Sequence, residues 1–404
     1  MKKICLGLVG IYLNLLAVFA QSTPPQDSTQ YKSRTLKLEE VNLVSSYYHQ
    51  DGNNSSVTGG IGSEKLTDLA NIIDVKFAKY DKRYRKHSFT FEAGIDSYTS
   101  ASSDQIDSKA NSSASSHDLR IYPSLSWTVE NEKKGTTFGL SASASSEFDY
   151  KSFGLGASFS IKSKNNNREF GVKAQAYLDK VSLILPVELR TGIVINGHRD
   201  DGNYATTSRN SFSGSVSYTQ VVSKNMQLMF LADIAWQNGY LGLPFHRVYF
   251  NDNTLKTELL PSKRFKIPVG VRANYFLGDK VVVRSFYRFY HDDWGLTAHT
   301  ADVETAIKIT PFFSVTPFYR YYQQSAVKYF APYQAHTAAD TYYTSNYDLS
   351  KFNSHFIGAG FRLAPPKGIL GNEHFSMIEI RYGHYTRSTT NFSSNIVSLN
   401  LKFK

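Results

Sequence analysis

The sequence predicts an all-β protein, a membrane-spanning antiparallel β-barrel of about 16 strands, with 14 or 18 as the neighbouring even counts. Three observations predict it. The N-terminus reads as an export signal. Strand-length segments alternate apolar and polar side chains with period two. Connections between those segments alternate between short turns and longer polar loops, and the chain ends on a strand closed by an aromatic residue.

Met1-Lys2-Lys3 precedes an apolar run from Ile4 to Phe19, and Val18-Phe19-Ala20 supplies a cleavage site after Ala20. The run is short for a spanning helix of about 20 residues, so residues 1–20 are expected to be removed. The single Cys of the 404 residues, Cys5, leaves with them. Disulfides, thiol catalysis and thiolate metal sites are thereby excluded from the mature chain. Residues 21–38, with Pro24-Pro25, read as a flexible periplasmic tail, and residues 39–404 as the barrel. The chain holds 27 Tyr and 27 Phe although mean hydropathy is −0.34. Alternating barrel strands with aromatic girdles combine these properties. Losing Lys2 and Lys3 lowers the formal charge from +11 to +9. In an exported protein that excess points to anionic headgroups or an anion-attracting interior rather than nucleic acid.

Val41 to Tyr48 is the first strand candidate. A dense run of turn-formers follows, from Gln50 to Asp68, including Asp51, Gly52, Asn53, Gly59, Gly60 and Gly62. It is too elaborate for a simple turn and is expected to fold into or over the lumen. Short turns are expected near Asp81 to Lys86, Asn131 to Gly135, Ser163 to Arg168, Ser223 to Asn225, Gly278-Asp279 and Thr310-Pro311. A longer link runs from Ala364 to His374 on the same side. Outer loops are expected near Ala101 to Ser116, Tyr150, Asp179 to Arg209 and Asn238 to Ser262, then at Asp292 to Gly295, Gln324 to Ser350 and Thr386 to Ser393. Leu183 to Ile195 looks like strand, but counting it breaks the even parity. It is assigned to an outer loop, as a hairpin above the membrane.

The last ten residues show the alternation clearly. Val397, Leu399, Leu401 and Phe403 share one face, and Ile396, Ser398, Asn400, Lys402 and Lys404 the other. In 264–275, Phe265, Ile267, Val269 and Val271 oppose Arg264, Lys266 and Arg272. An arginine at the bilayer midplane on the lipid face costs about 2–4 kcal/mol, so the arginine faces should line the interior. Arg264, Arg272, Arg284, Arg288, Arg320, Arg362 and Arg381 form the expected wall, with Arg120 across the barrel. Two readings of this wall stand. It favours anions, as basic rings do, or it pairs with carboxylates such as Asp233, Glu379 and Glu130 and stiffens the barrel.

Asp51-Gly52-Asn53-Asn54-Ser55 begins like a Ca²⁺ loop, but Gly62 stands where the twelfth-position glutamate belongs, so it is not an EF-hand. His291, Asp293 and His299 flank a tight outer turn and are the metal candidates, without any fixed ligand spacing. No serine is singled out beside a histidine and an acid, so no enzyme is expected. No phosphate loop or dinucleotide fingerprint appears, and no cofactor is expected.

The run from Ser46 through Ser55 and on from Thr58 to Asp68 resembles the signature of domain-of-unknown-function family 3570. So do Tyr98 to Asp104, Ile121-Tyr-Pro-Ser124, Phe286 to Trp294 and Phe361-Arg-Leu-Ala-Pro-Pro366. The resemblance covers nearly the whole mature chain. It implies an outer-membrane protein of Gram-negative bacteria with no catalytic residues to carry over. It also implies gene neighbours among flavin-attaching transferases and thioredoxin-like proteins. The leading expectation is a channel or transport component for a small solute, an anion on the first of the two readings of the arginine wall. The alternatives are a non-conducting scaffold for a periplasmic or surface partner, linked to periplasmic redox or flavin maturation, and a rim-sited enzyme. Expected partners are outer-membrane lipid, the barrel-assembly machinery at the C-terminal strand and a periplasmic protein.

Overall fold

The computed structural model describes residues 34–99, 117–189, 204–389 and 391–404. Cys5, the proposed signal and most of the proposed tail lie outside them. Two-residue alternation turns most of the described chain into long strands: β1 (Lys37–Asp51), β2 (Leu66–Tyr80), β3 (Lys86–Thr99), β4 (His117–Asn131), β5 (Thr136–Ser146), β6 (Tyr150–Lys162), β7 (Arg168–Ser182), β8 (Thr206–Ser223) and β9 (Met226–Gly239). A two-stranded ladder follows, β10 (Arg247–Tyr249) with β11 (Leu255–Thr257). The chain then resumes with β12 (Lys263–Leu277), β13 (Val281–Asp292), β14 (Thr297–Lys308), β15 (Phe313–Gln324), β16 (Phe352–Leu363), β17 (Phe375–Arg387) and β18 (Ser393–Phe403).

All strands except β10 and β11 form one closed antiparallel barrel of sixteen. Sequence neighbours pair throughout, with β9 beside β12, and β1 closes the ring against β18 with Val41 opposite Phe403 and Tyr47 opposite Val397. Closure satisfies every strand's backbone on both sides and removes the sheet edge, which lets a sheet stand in lipid. At the turn end the links are tight. Asp81 accepts the amides of Arg83 and Arg85 at 2.8 and 2.9 Å, fixing the β2–β3 turn.

Exposed apolar side chains follow one parity. Phe265, Ile267 and Val269 on β12, Ile357 and Phe361 on β16, and Ile380 and Tyr382 on β17 face outward. At the closing seam Val41, Leu43, Leu401 and Phe403 form an apolar cluster on this parity, with Phe375 stacked on Phe403 at 4.9 Å. The opposite parity carries the polar groups. On β5 and β6 it is nearly bare, since Gly156 lies opposite Ser141 and Gly154 opposite Ser143.

Leu183 to Leu189 is irregular, with a 3-10 turn at Val187–Leu189, and adds no barrel strand; the rest of the proposed hairpin lies outside the described residues. The hairpin that does stand above the barrel is β10–β11, one loop later, within a segment the alternation left unstructured. Each of its strands is only three residues long, with β10 mostly buried and Lys256 of β11 exposed, so period two gives no sign of it.

Candidate functional site

The loop end is covered by a cap in which, among the described residues, three long connections interlock and Glu188 of the β7–β8 link joins them. In the sixteen-strand ring β9 stands eight places from β1 in either direction, so the loops above these strands start on opposite walls. They nevertheless touch. The glycine-rich loop 52–65 coils around a 3-10 turn, Ser56–Thr58. Asn54 donates to the Gly60 carbonyl at 2.7 Å, and Glu64 N to the Gly52 carbonyl at 2.8 Å. Gly59 has φ +81, and a Cβ there would sit 2.7 Å from the Tyr249 ring of β10. The tight fit across the mouth therefore needs glycine at this position.

Charge and hydrogen bonds fasten the loops. Arg247, 5% exposed, donates to the Val57 carbonyl at 2.7 Å and to Glu188 at 2.9 Å. Ser56 Oγ lies 3.0 Å from His246 Nε2, and His246 Nδ1 lies 3.4 Å from Glu258 Oε2. Glu258 also takes the Leu243 amide at 2.8 Å and the Thr344 hydroxyl. Burial alone would raise the Glu258 pKa, but His246, Thr344 and the Leu243 amide outweigh it and hold the carboxyl below its ordinary range. The sequence pattern singled out no serine–histidine–acid set. The structure assembles one, and its acid is spent on fastening its own loop to Thr344 of the next. The third loop, 325–351, joins through the Leu259–Tyr343 and Phe250–His336 bridges. Phe250 packs on Tyr343 with ring centres 4.9 Å apart.

Beneath the cap, against the β1 and β13–β18 wall, lies a cleft of about 490 Å³. Its charged groups are Arg288, Arg320, Arg387, Glu64 and Asp348, and its rings are Tyr48, Tyr322, Tyr385, Phe356 and Phe392. Arg387, whose side chain is 8% exposed, donates to Asp348 at 2.8 Å and lies over Phe352 and Phe392 at 4.2 and 4.6 Å. The Tyr385 side chain also approaches its guanidinium, while its Nε and Nη1, like Glu64 Oε2, lack a well-aligned hydrogen bond among the described residues. Burial, and then the charge of Asp348, pushes the Glu64 carboxyl up to about 7.

The arginines named from the sequence fall into two groups. Arg264 pairs with Asp292 (Nε to Oδ2 2.9 Å), Arg320 with Asp302 at 2.9 Å and Arg284 with Glu304 at 2.7 Å. Arg381 bridges Glu304 and Glu379 at 2.8 and 3.4 Å. Arg120 meets Glu147 at 3.3 Å and stacks on Tyr122. Arg272 lies over the Phe286 ring, and Arg362 stands opposite Glu379 in the β16–β17 register. Arg288 makes no ion pair among the described residues. Of the expected carboxylate partners only Glu379 is used; Asp233 and Glu130 pair with none of these arginines among the described residues. Asp292, Asp302 and Glu304 replace them, because cross-strand register sets Arg284 opposite Glu304 and Asp302 opposite Arg320.

The metal candidates do not converge, which corrects the expectation. His291 Nδ1 lies 3.2 Å from the Thr297 hydroxyl and His299 Nδ1 2.8 Å from the Tyr287 hydroxyl. Asp293 instead accepts the Phe265 amide at 3.0 Å. Alternation puts both histidines on the outward parity, while buried Asp292 turns inward to Arg264. Of the loop residues, Gly52, Gly59 and Gly60 are buried in the cap and Gly62 turns the chain with φ +78. Asp51 lies 3.6 Å from Lys65, Asn53 is exposed, and Asp68 belongs to β2, paired with Tyr98 of β3.

Among solved structures, the chain is similar to a mutant ferric enterobactin receptor from Pseudomonas aeruginosa, with 10% identity and a TM-score of 0.45. The match covers 87% of this chain and 54% of the receptor, so the chain spans about half that protein's length. It is also similar to Pseudomonas aeruginosa OpdK solved with vanillate, with 8% identity and a TM-score of 0.44, covering 92% and 100% of the two chains. A third likeness is to the TodX monoaromatic hydrocarbon channel, with 10% identity and a TM-score of 0.38, covering 91% and 88%. No curated protein matches the sequence. The family model described as protein of unknown function (DUF3570) matches residues 21–391. The chain belongs to that family.

Proposed function

We propose that the protein is an outer-membrane barrel that passes a small anionic solute, with the loop cap narrowing its outer mouth. The observation that carries this reading is Arg288, which lines the cleft under the cap and makes no ion pair among the described residues. A fully neutralised wall would only brace the strands; free guanidinium groups favour anions. The apolar outward parity supports a place in lipid. The short turns then lie on the periplasmic side, where a periplasmic partner would dock. The C-terminal β18, paired on both edges, is the element that assembly machinery would deliver.

The test is solute efflux from liposomes holding the purified protein, comparing anionic, neutral and cationic solutes of one size. Faster efflux of the anions is expected. The cap gives one specific reason for a second reading, a non-conducting scaffold, since loops from opposite walls meet over the mouth. On that reading no solute escapes faster than from empty liposomes.

A further inference from the structure

We infer that the cleft beneath the cap is a binding station for a small monocarboxylate with an aromatic or other apolar body. This deepens the passage reading and rests on it for the solute's access to the cleft. Arg387 supplies the anchor. Its guanidinium is clamped between Phe352 and Phe392, and Asp348 occupies only one of its nitrogens. The side chain is 8% exposed and its Nε and Nη1 are buried without a well-aligned hydrogen bond among the described residues. Buried charged donors are costly to leave unmade, and a carboxylate oxygen is the acceptor that suits them best. Arg288 lines the same cleft and offers a second fork for the other oxygen.

The charge balance selects the valence. Arg288, Arg320 and Arg387 face the carboxylates of Asp302 and Asp348, leaving one net positive charge while Glu64 is protonated. A monoanion cancels it, whereas a dianion brings a surplus charge beside Asp348. Phe356, Phe392 and Ile396 give the cleft an apolar surface for the ligand's body. Glu64 adds a pH dependence. It is faced by Asp348 from loop 325–351 and by Arg387 from β17, and the Asn54 backbone donates to it from its own loop. Its carboxyl, pushed up to about 7, ionises as pH rises past that value and repels the anion.

The experiment is calorimetric titration of the detergent-solubilised full chain with benzoate, benzyl alcohol and inorganic phosphate, at about pH 6 and about pH 8. Saturable benzoate binding is expected, with benzyl alcohol and phosphate each about tenfold weaker or more. Benzoate should bind about tenfold more weakly at the higher pH, and Glu64→Gln should remove that difference. Arg288→Ala and Arg387→Lys should each weaken benzoate about tenfold or more while the circular dichroism spectrum stays that of the parent. Benzyl alcohol or phosphate binding as tightly as benzoate would overturn the inference. So would full benzoate affinity in folded Arg288→Ala, or no saturable benzoate binding at all. Binding without liposome efflux would sink the passage reading alone; anion efflux without binding would sink only this one.

Discussion

Asp292 shows how strand parity becomes an interaction. It ends β13 on the inward face, 1% exposed, and takes Arg264, the Tyr290 hydroxyl at 2.7 Å and the Leu296 amide at 3.0 Å. Arg264 in turn lies over Trp294 at 4.3 Å. Replacing Arg264 by Ala would strand a buried carboxylate and lose the stacking, lowering stability by about 3 kcal/mol. Asp292→Asn in the Arg264→Ala background should restore part of that loss, because the amide carries no charge to strand. Urea unfolding midpoints in detergent measure both. At this scale the sequence was half legible. Alternation put Arg264, Arg284 and Arg320 on the inward face, but their partners depend on register between strands, which a single strand's pattern does not hold. The same alternation sends His291 and His299 outward and Asp292 inward, so the residues of this turn do not act as one cluster.

The cap is the element whose behaviour should follow pH. Glu258 is held below its ordinary range, so its contribution is present at neutral pH and is lost as pH falls through its folded value, below 4.5. Glu64 works in the other direction. Its carboxyl stays protonated in the cap up to about 7 while an unfolded Glu ionises near 4.5, so loop 52–65 weakens progressively across that window. Protease cleavage of the cap loops should be slowest near the lower edge of that window and faster on both sides. Glu64→Gln should flatten the neutral limb only, and Glu258→Gln the acid limb. His246→Ala should speed cleavage at every pH while leaving the barrel's heat-modifiable migration unchanged. The turn-formers of loop 52–65 were visible in the sequence as an unusually dense run, expected to fold into or over the lumen. Their partners were not, since Ser56 and His246 are 190 residues apart and meet only because the ring sets β1 opposite β9.

At the scale of the whole molecule the alternation of turns and loops pointed to about sixteen strands, with 14 and 18 still open, and the ring has sixteen. Each short link from Asp81 to Pro311 marks a turn end, and even parity excluded Leu183 to Ile195 as a strand, leaving the sixteen that close the ring. Closure, the outward apolar parity and the inward arginines are consequences of that single rhythm. How the interior charge is used lies beyond it, because pairing at Glu304 and Asp302 follows from register between neighbouring strands rather than from any one strand's pattern. The most direct measurement is the reversal potential of the purified protein in a planar bilayer under a salt gradient. The account predicts a shift toward the anion's equilibrium potential, reduced in Arg288→Ala. A cation-selective potential, or a membrane that stays silent with folded protein inserted, would contradict it.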